Sequence, residues 1–111
     1  MTDATRSSGR IDFERVKAAA LANAERIIRG LLPDGRCEGA EWVARNPLRK
    51  DRRPGSFKVN LLTGKWGDFA TGDRGGDLVS LTAFVAGVDQ RTAAIELAAA
   101  LSIDPFVGGR A

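Results

Sequence analysis

A short segment in the middle of this chain collects seven basic side chains. Between positions 45 and 65 they stand against one acid, Asp51, so the segment carries 7 − 1 = +6, while the whole 111-residue chain carries +3. The remainder therefore sums to 3 − 6 = −3. Positive charge gathered in this way is typical of a surface that faces phosphates. The seven residues are Arg45, Arg49, Lys50, Arg52, Arg53, Lys58 and Lys65.

Four of these cations (Arg49, Lys50, Arg52 and Arg53) belong to one predicted loop. Pro47 precedes the loop and Pro54-Gly55 supplies its turn. Each contact between a basic side chain and a phosphate adds affinity because it releases a counterion. We expect the loop to bind nucleic acid, with Lys58 extending its surface across the next strand; a solvated surface loop is the alternative.

Aromatic side chains beside these cations can stack on unpaired bases. Trp66 directly follows Lys65, and base stacking and core packing are equally open to it. Phe69 could stack in the same way, but it points to the opposite face if the strand is regular, so the two residues cannot both do so. Of the two roles we favour the core for Phe69, and we expect Trp42 in the core as well. Arg74, in the glycine-rich loop before a predicted helix, is a further candidate for a phosphate contact.

The segment from Ala70 to Gly76 contains three glycines and is predicted to be a loop. A loop at a helix N-terminus can cradle phosphate, but this one lacks the P-loop signature, and the carboxylate of Asp77 would repel an anion. We therefore expect a structural turn. Asp68 and Asp73, with Asp77, offer oxygen ligands of the kind that Mg²⁺ uses, but turn formation and helix capping explain Asp73 and Asp77 without a metal.

The composition excludes several kinds of chemistry. The chain has no histidine and one cysteine, Cys37, so it holds neither a Ser-His-Asp or Cys-His catalytic arrangement nor a cysteine/histidine zinc site. Ser56 has no base to activate it. We predict no catalytic residue, no metal and no cofactor, and we expect Cys37 to be at least half-buried.

The positions of apolar residues predict an α+β fold. Spacings of three and four predict a long N-terminal helix from about Asp12 to Leu32, stopped by Pro33-Asp34-Gly35. Two shorter helices are predicted near the C-terminus, one from Asp77 to about Val85 and one from Asp89 to Leu101, each with its aspartate as the N-cap.

A small antiparallel sheet is predicted between the helical parts. Its strands are Glu41 to Arg45, Ser56 to Leu61 and Lys65 to Phe69, and the last two form a hairpin through Thr63-Gly64. In the second strand Phe57 and its alternate neighbours point one way, whereas Ser56, Lys58 and Asn60 point the other.

The order of motifs from Asn46 onwards resembles the N-terminal zinc-ribbon domain of bacterial and phage DNA primases. That domain carries Cys-Pro-x-His, a charged stretch, Pro-Ser-Phe-x-Val, an aromatic strand leading into Cys-x-x-Cys, and Gly-Gly-Asp at the start of a helix. The counterparts, over about half of the chain, are Asn46-Pro47-Leu48-Arg49, Lys50 to Arg53, Pro54-Gly55-Ser56-Phe57-Lys58-Val59, Lys65 to Gly72 and Gly75-Gly76-Asp77. Extra residues stand at Gly55 and near Arg74.

All four positions that the resemblance gives to zinc ligands are occupied by other residues, namely Asn46, Arg49, Asp68 and Thr71. Asparagine and aspartate can bind metals, but arginine does not ligate zinc and a threonine hydroxyl is a poor ligand, so we expect a ribbon without its metal. We expect packing of Trp42, Phe57, Trp66 and Phe69 to replace the folding free energy that zinc supplies.

We expect a zinc-ribbon-like domain over residues 11–104. The polar residues 1–10 are predicted to be a disordered lead-in, and residues 105–111, which include Gly108-Gly109, a flexible tail or linker. The resemblance implies a non-catalytic module that binds single-stranded DNA in a plasmid- or phage-type replication protein, because primases keep their polymerase chemistry in a separate domain. The alternative is a module that docks a helicase, a primase catalytic domain or its own dimer partner. DNA versus RNA stays open.

The sequence predicts neither a membrane protein nor a secreted one. It has no run of eighteen apolar residues, and the stretch from Met1 to Arg10 is polar, without the apolar region of a secretion signal. We expect a cytoplasmic location.

Overall fold

The computed structural model describes residues 10–48 and 56–108. Within these residues, four helices and a five-stranded antiparallel sheet form the α+β fold that the sequence predicts. The helices are α1 (Phe13–Ala22), α2 (Ala24–Leu31), α3 (Leu78–Ala86) and α4 (Gln90–Leu101). The strands, in their order across the sheet, are β1 (Arg36–Glu38), β2 (Glu41–Ala44), β3 (Phe57–Asn60), β4 (Trp66–Asp68) and β5 (Arg74–Gly75).

The predicted long N-terminal helix is divided at Asn23, so that prediction was wrong in detail. Asn23 leaves helical geometry at φ −120° and ψ 30°. Its side-chain amide donates to the carbonyl of Ala19 at 2.9 Å. An asparagine side chain that bonds the local backbone competes with helical hydrogen bonding. Ala20 and Ala24 are buried on either side of the break, so one apolar stripe runs through both helices. This continuous stripe is why the sequence predicts a single helix.

The predicted strands are confirmed, and the sheet gains one strand at each edge. In β3, Phe57 and Val59 are buried while Lys58 and Asn60 are half-exposed, as the alternation predicts. The segment expected to be a loop contains β5, whose two residues pair with β4. The other edge strand, β1, is fully exposed, so it has no apolar alternation to reveal it. Cys37 lies in β1 and is exposed, contrary to expectation.

Aromatic rings fill the space between the sheet and the helices. Phe57 stacks on Trp66 with 5.7 Å between ring centroids, and the ring of Phe84 in α3 lies 4.9 Å from that of Trp66. Trp42 is also buried, and its indole N–H donates to the carbonyl of Leu32 at 2.9 Å. Three of the four aromatic residues expected in the core are there, because their strand positions face the helices.

The C-terminal helices begin at the predicted caps. The Asp77 carboxylate accepts from the backbone N–H of Ser80 at 2.8 Å, and that of Asp89 accepts from Thr92 at 2.7 Å. The hydrogen bond from the Thr92 backbone lowers the pKa of Asp89. Helix α3 ends at Gly87, whose φ of +71° is the left-handed conformation that glycine adopts without strain.

Both ends of the described chain meet at one place. Ile11 and Phe106 form an antiparallel bridge, and the backbone N–H of Val107 donates to the carbonyl of Arg10 at 2.9 Å. The other residues of the predicted lead-in, 1–9, and the last three of the predicted tail lie outside the described residues. None of the helices described reaches the length and apolarity needed to cross a membrane.

Two glycines close to each other in the chain should respond oppositely to an added methyl group. At Gly35 a Cβ would overlap the indole ring of Trp42, whereas at Gly30, in α2, it would meet no neighbour. We expect Gly35→Ala to lower the free energy of unfolding by about 1–3 kcal/mol, as overpacking does. Gly30→Ala should raise it by roughly 0.5–1 kcal/mol, because alanine is the better helix former. Urea unfolding of both variants checks this, and equal effects would contradict the packing described.

Candidate nucleic-acid interface

The face of the sheet that points away from the helices carries charged side chains. We call it the outer face and define it by the strand positions that alternate with the buried Trp42, Phe57 and Trp66. One row of paired residues crosses all five strands on this face. The row consists of Arg36, Val43, Lys58, Gly67 and Arg74.

An open concavity of about 500 Å³ lies on the outer face, and we call it the basic groove. At its centre Gly67 pairs with Lys58 on one side and with Arg74 on the other, so no side chain separates the two cations. Among the described residues the groove has three cations and one acid. Its lining is Glu41, Lys58, Asn60, Thr63, Lys65, Trp66, Gly67, Phe69 and Arg74.

Phe69 stands at the edge of the basic groove with 81% of its surface exposed. Its backbone is held, since its N–H donates to the carbonyl of Ser56 at 3.0 Å. The ammonium group of Lys58 lies 5.7 Å from the ring centroid, within the range of a cation–π contact. The expectation that Phe69 packs in the core was wrong. The chain forgoes the roughly 1.5–3 kcal/mol that burying such a side chain provides.

A second, smaller concavity of about 240 Å³ adjoins the same ring. Gly67, Phe69 and Arg74 line both concavities. The smaller one also has Asp68, Gly72 and Asp73 in its wall. Phe69 therefore stands between two open spaces, with Arg74 within reach of each.

A buried polar contact fixes the strands beneath this surface. The side-chain amide of Asn46 donates to the carboxylate of Asp68 at 2.7 Å, and the two residues are 1% and 2% exposed. Asn46 also accepts from the N–H of Leu48, and Asp68 from that of Ala70, both at 2.8 Å. A buried carboxylate is costly unless donors surround it, so these bonds determine the local geometry. Asn46 and Asp68 hold two of the four positions that the resemblance gives to zinc ligands.

The turn between β4 and β5 is a closed hydrogen-bonded structure. The N–H of Gly72 donates to the carbonyl of Asp68 at 2.8 Å, and the hydroxyl of Thr71 donates to the carboxylate of Asp73, also at 2.8 Å. Gly72 has a φ of +84°, so the glycine serves the turn, as predicted. Phe69 lies where the chain runs from β4 into this turn, and Arg74 is the first residue of β5 after it. The turn therefore sets the position of two residues of the basic groove.

The carboxylates near this turn have structural partners. Asp77 caps α3 and lies 3.5 Å from the ammonium group of Lys17, and Asp73 accepts from Thr71. Within residues 10–48 and 56–108, no three histidine, cysteine, aspartate or glutamate side chains come together as a metal site would need.

The structure brings some of the predicted binding residues together and separates others. Lys58, Lys65 and Arg74 line the basic groove. Arg45 is exposed just past the end of β2 and is not one of the described lining residues. The indole of Trp66 is 7% exposed and its N–H donates to the hydroxyl of Ser80 at 3.0 Å, so the ring belongs to the core. Arg49, Lys50, Arg52 and Arg53 lie outside the described residues, and their binding role stays a prediction.

The sequence analysis assigned Phe69 to the core and did not identify Glu41 as a groove residue. The signal for Phe69 was present, since alternation from a buried Trp66 through Asp68 places Phe69 on the opposite face. Glu41 gives no such signal, because its approach to the groove depends on the pairing of β2 with β3. Arg36 also reaches the outer face, but its guanidinium donates to Glu38 at 2.7 Å, which offsets its charge.

Comparisons with protein-family models, with curated proteins and with solved structures find no match to this chain.

The contact between Asn46 and Asp68 should dominate the stability of this region. Asn46→Ala removes one of the donors to the buried carboxylate of Asp68, and we expect it to lower the free energy of unfolding by about 1.5–3 kcal/mol, as measured in urea. The matched control is Thr71→Val, which removes the exposed hydrogen bond to Asp73 in the same region and should cost less than about 1 kcal/mol. Similar small losses for both variants would contradict a structural role for the buried contact. Because Arg49 cannot ligate zinc and the Thr71 hydroxyl is a poor zinc ligand, EDTA should leave the melting temperature unchanged.

Proposed function

We propose that this chain is a non-catalytic module that binds single-stranded DNA along the basic groove. The observation that carries the proposal is the convergence of Lys58, Lys65 and Arg74, from three different parts of the sheet, on one open concavity. A single acid, Glu41, shares the described lining with them. Cations placed in this way neutralise successive phosphates of a strand and release counterions.

The shape of the groove supports a polymer as the ligand. It is open along the outer face, so a strand can pass through it without threading into an enclosed site. An exposed aromatic ring at its edge, Phe69, is a feature of surfaces that bind unpaired bases. The basic loop from Arg49 to Arg53 would add further phosphate contacts.

The proposal that the module is not an enzyme by itself rests on its side-chain inventory. The sequence has no histidine. The aspartates of the described groove region cap helix α3, close the turn or hold Asn46, so they form no pair poised for acid and base catalysis.

We place the module in a primase-like replication protein of a plasmid or phage, acting in the cytoplasm. This rests on the resemblance to primase zinc ribbons, which implies that setting. The contact of Asn46 with Asp68 supports it, because it joins two of the positions at which the resemblance implies a shared metal. On this proposal the hydrogen bond joins the segment after β2 to the end of β4, as a shared zinc ion would join the segments that carry its ligands.

Docking of a protein partner is a second candidate function, favoured by one separate observation. A mainly apolar groove of about 230 Å³ runs between α2 and α4, lined by Arg26, Ile27, Gly30, Leu31, Leu97, Ala100 and Leu101. If it docks a second copy of this chain, sedimentation will show a dimer that Ala100→Arg dissociates. A monomer at all concentrations would remove the dimer form of this alternative.

The test of DNA binding is fluorescence anisotropy with labelled single-stranded oligonucleotides at low salt. We expect Lys58→Glu and Arg74→Glu each to weaken binding, and each lost phosphate contact to reduce the slope of log K against log salt by about 0.7. Reversing both Arg52 and Arg53 should also weaken binding if the loop contributes. Circular dichroism confirms that the variants fold.

The matched control is Arg10→Glu, which reverses the same charge at an exposed position that lines neither the basic groove nor the apolar groove. It should change affinity little beyond the general effect of net charge. Equal losses for Arg10→Glu and Arg74→Glu, or no binding by the unaltered chain at low salt, would rule out the basic groove as the binding surface.

A further inference from the structure

We infer that Phe69 is a stacking platform for one unpaired base, and that it gives the basic groove its preference for single strands. The inference rests on the proposed function and names the contact that would distinguish a single strand from a duplex. Phe69 is the most exposed large apolar side chain among the described residues, with 81% of its surface in solvent.

The ring is exposed although its backbone is fixed. The N–H of Phe69 donates to Ser56, and the preceding residue, Asp68, is buried and bonded to Asn46. The ring is thus carried on a constrained backbone between β4 and a closed turn. A platform of this kind loses little conformational freedom when a base stacks on it.

The surroundings of the ring fit a base with its flanking phosphates. The basic groove, at about 500 Å³, falls within the size range of small-ligand clefts, roughly 300–1,000 Å³, and the smaller concavity adjoins the ring too. Lys58 lies 5.7 Å from the ring centroid, and Arg74 lines both spaces. A strand whose base stacks on Phe69 therefore has a cation available for its backbone near the stacked base.

A duplex cannot use this platform without unstacking. Its bases cover one another's faces, whereas a single strand offers free faces to an aromatic ring. The cations of the groove attract the phosphates of either form. Stacking on Phe69 is then the part of binding that only the single strand gains.

The experiment compares Phe69→Ala with the unaltered chain on a single-stranded oligonucleotide and on its duplex. We expect single-strand affinity to fall about 5- to 150-fold, the range that loss of one base–aromatic stack gives. Duplex affinity should change less than about twofold. Single-stranded RNA of the same base sequence should lose affinity by a similar factor, because stacking does not read the sugar.

Three further variants separate stacking from general apolar contact. Phe69→Leu keeps an apolar side chain without a ring and should lose affinity like Phe69→Ala. Phe69→Trp should retain affinity, and its exposed indole should be quenched on addition of oligonucleotide, while Trp42 and Trp66 are buried at 2% and 7% exposed. Leu62→Ala is the matched control, since Leu62 is 73% exposed outside the described groove lining and its loss should change nothing.

The outcomes distinguish this inference from the proposed function. If Phe69→Ala and Phe69→Leu bind single strands as the unaltered chain does while Arg74→Glu binds weakly, the stacking platform is overturned and the DNA-binding function stands. If Phe69→Ala loses single-strand and duplex affinity equally, the preference for single strands does not come from Phe69. If the unaltered chain binds no nucleic acid at low salt, both fall together.

Discussion

The hydrogen bond between the buried amide of Asn46 and the buried carboxylate of Asp68 is the contact on which the outer face of the sheet depends. It joins the segment that follows β2 to the end of β4. Asp68 also accepts from Ala70 and receives Gly72 on its carbonyl, so the turn that carries Phe69 and Arg74 is built from this residue. A carboxylate buried to this extent is stable only when hydrogen-bond donors surround it, so these contacts stabilise the turn as observed.

The two faces of the sheet differ in the side chains that they carry. The inner face buries Trp42, Phe57 and Trp66 against the helices. Phe57 and Trp66 stack on each other, and both indole N–H groups find acceptors. Burial of large aromatic side chains is a major source of stability for a core of this size. The outer face does not pack against the helices, so charged side chains can remain in solvent there. Lys58, Lys65 and Arg74 remain there because burying an unpaired cation would cost more than exposing it.

Much of the architecture follows from local patterns. Alternation in β3, the caps at Asp77 and Asp89, and the left-handed Gly87 each depend on one residue and its near neighbours, so the sequence predicted them. The break at Asn23 escaped prediction because the same apolar stripe continues on both sides of it. Edge strands β1 and β5 escaped because pairing with a neighbour, and not an apolar pattern, makes them strands. Phe69 was assigned to the core because aromatic residues are usually buried, although the alternation from Trp66 pointed outwards.

The sequence by itself determined the fold class, the predominance of positive charge between Arg45 and Lys65, and the absence of histidine, since these depend only on composition and short-range periodicity. Tertiary structure decided which cations share a surface. Arg74 lies far from Lys58 in the chain, and only the pairing of β3, β4 and β5 sets them on either side of Gly67. It also decided that Trp66 is buried and Phe69 exposed. Alternation places the two residues on opposite faces of the strand, and the helices packed against one face determine which of the two is buried.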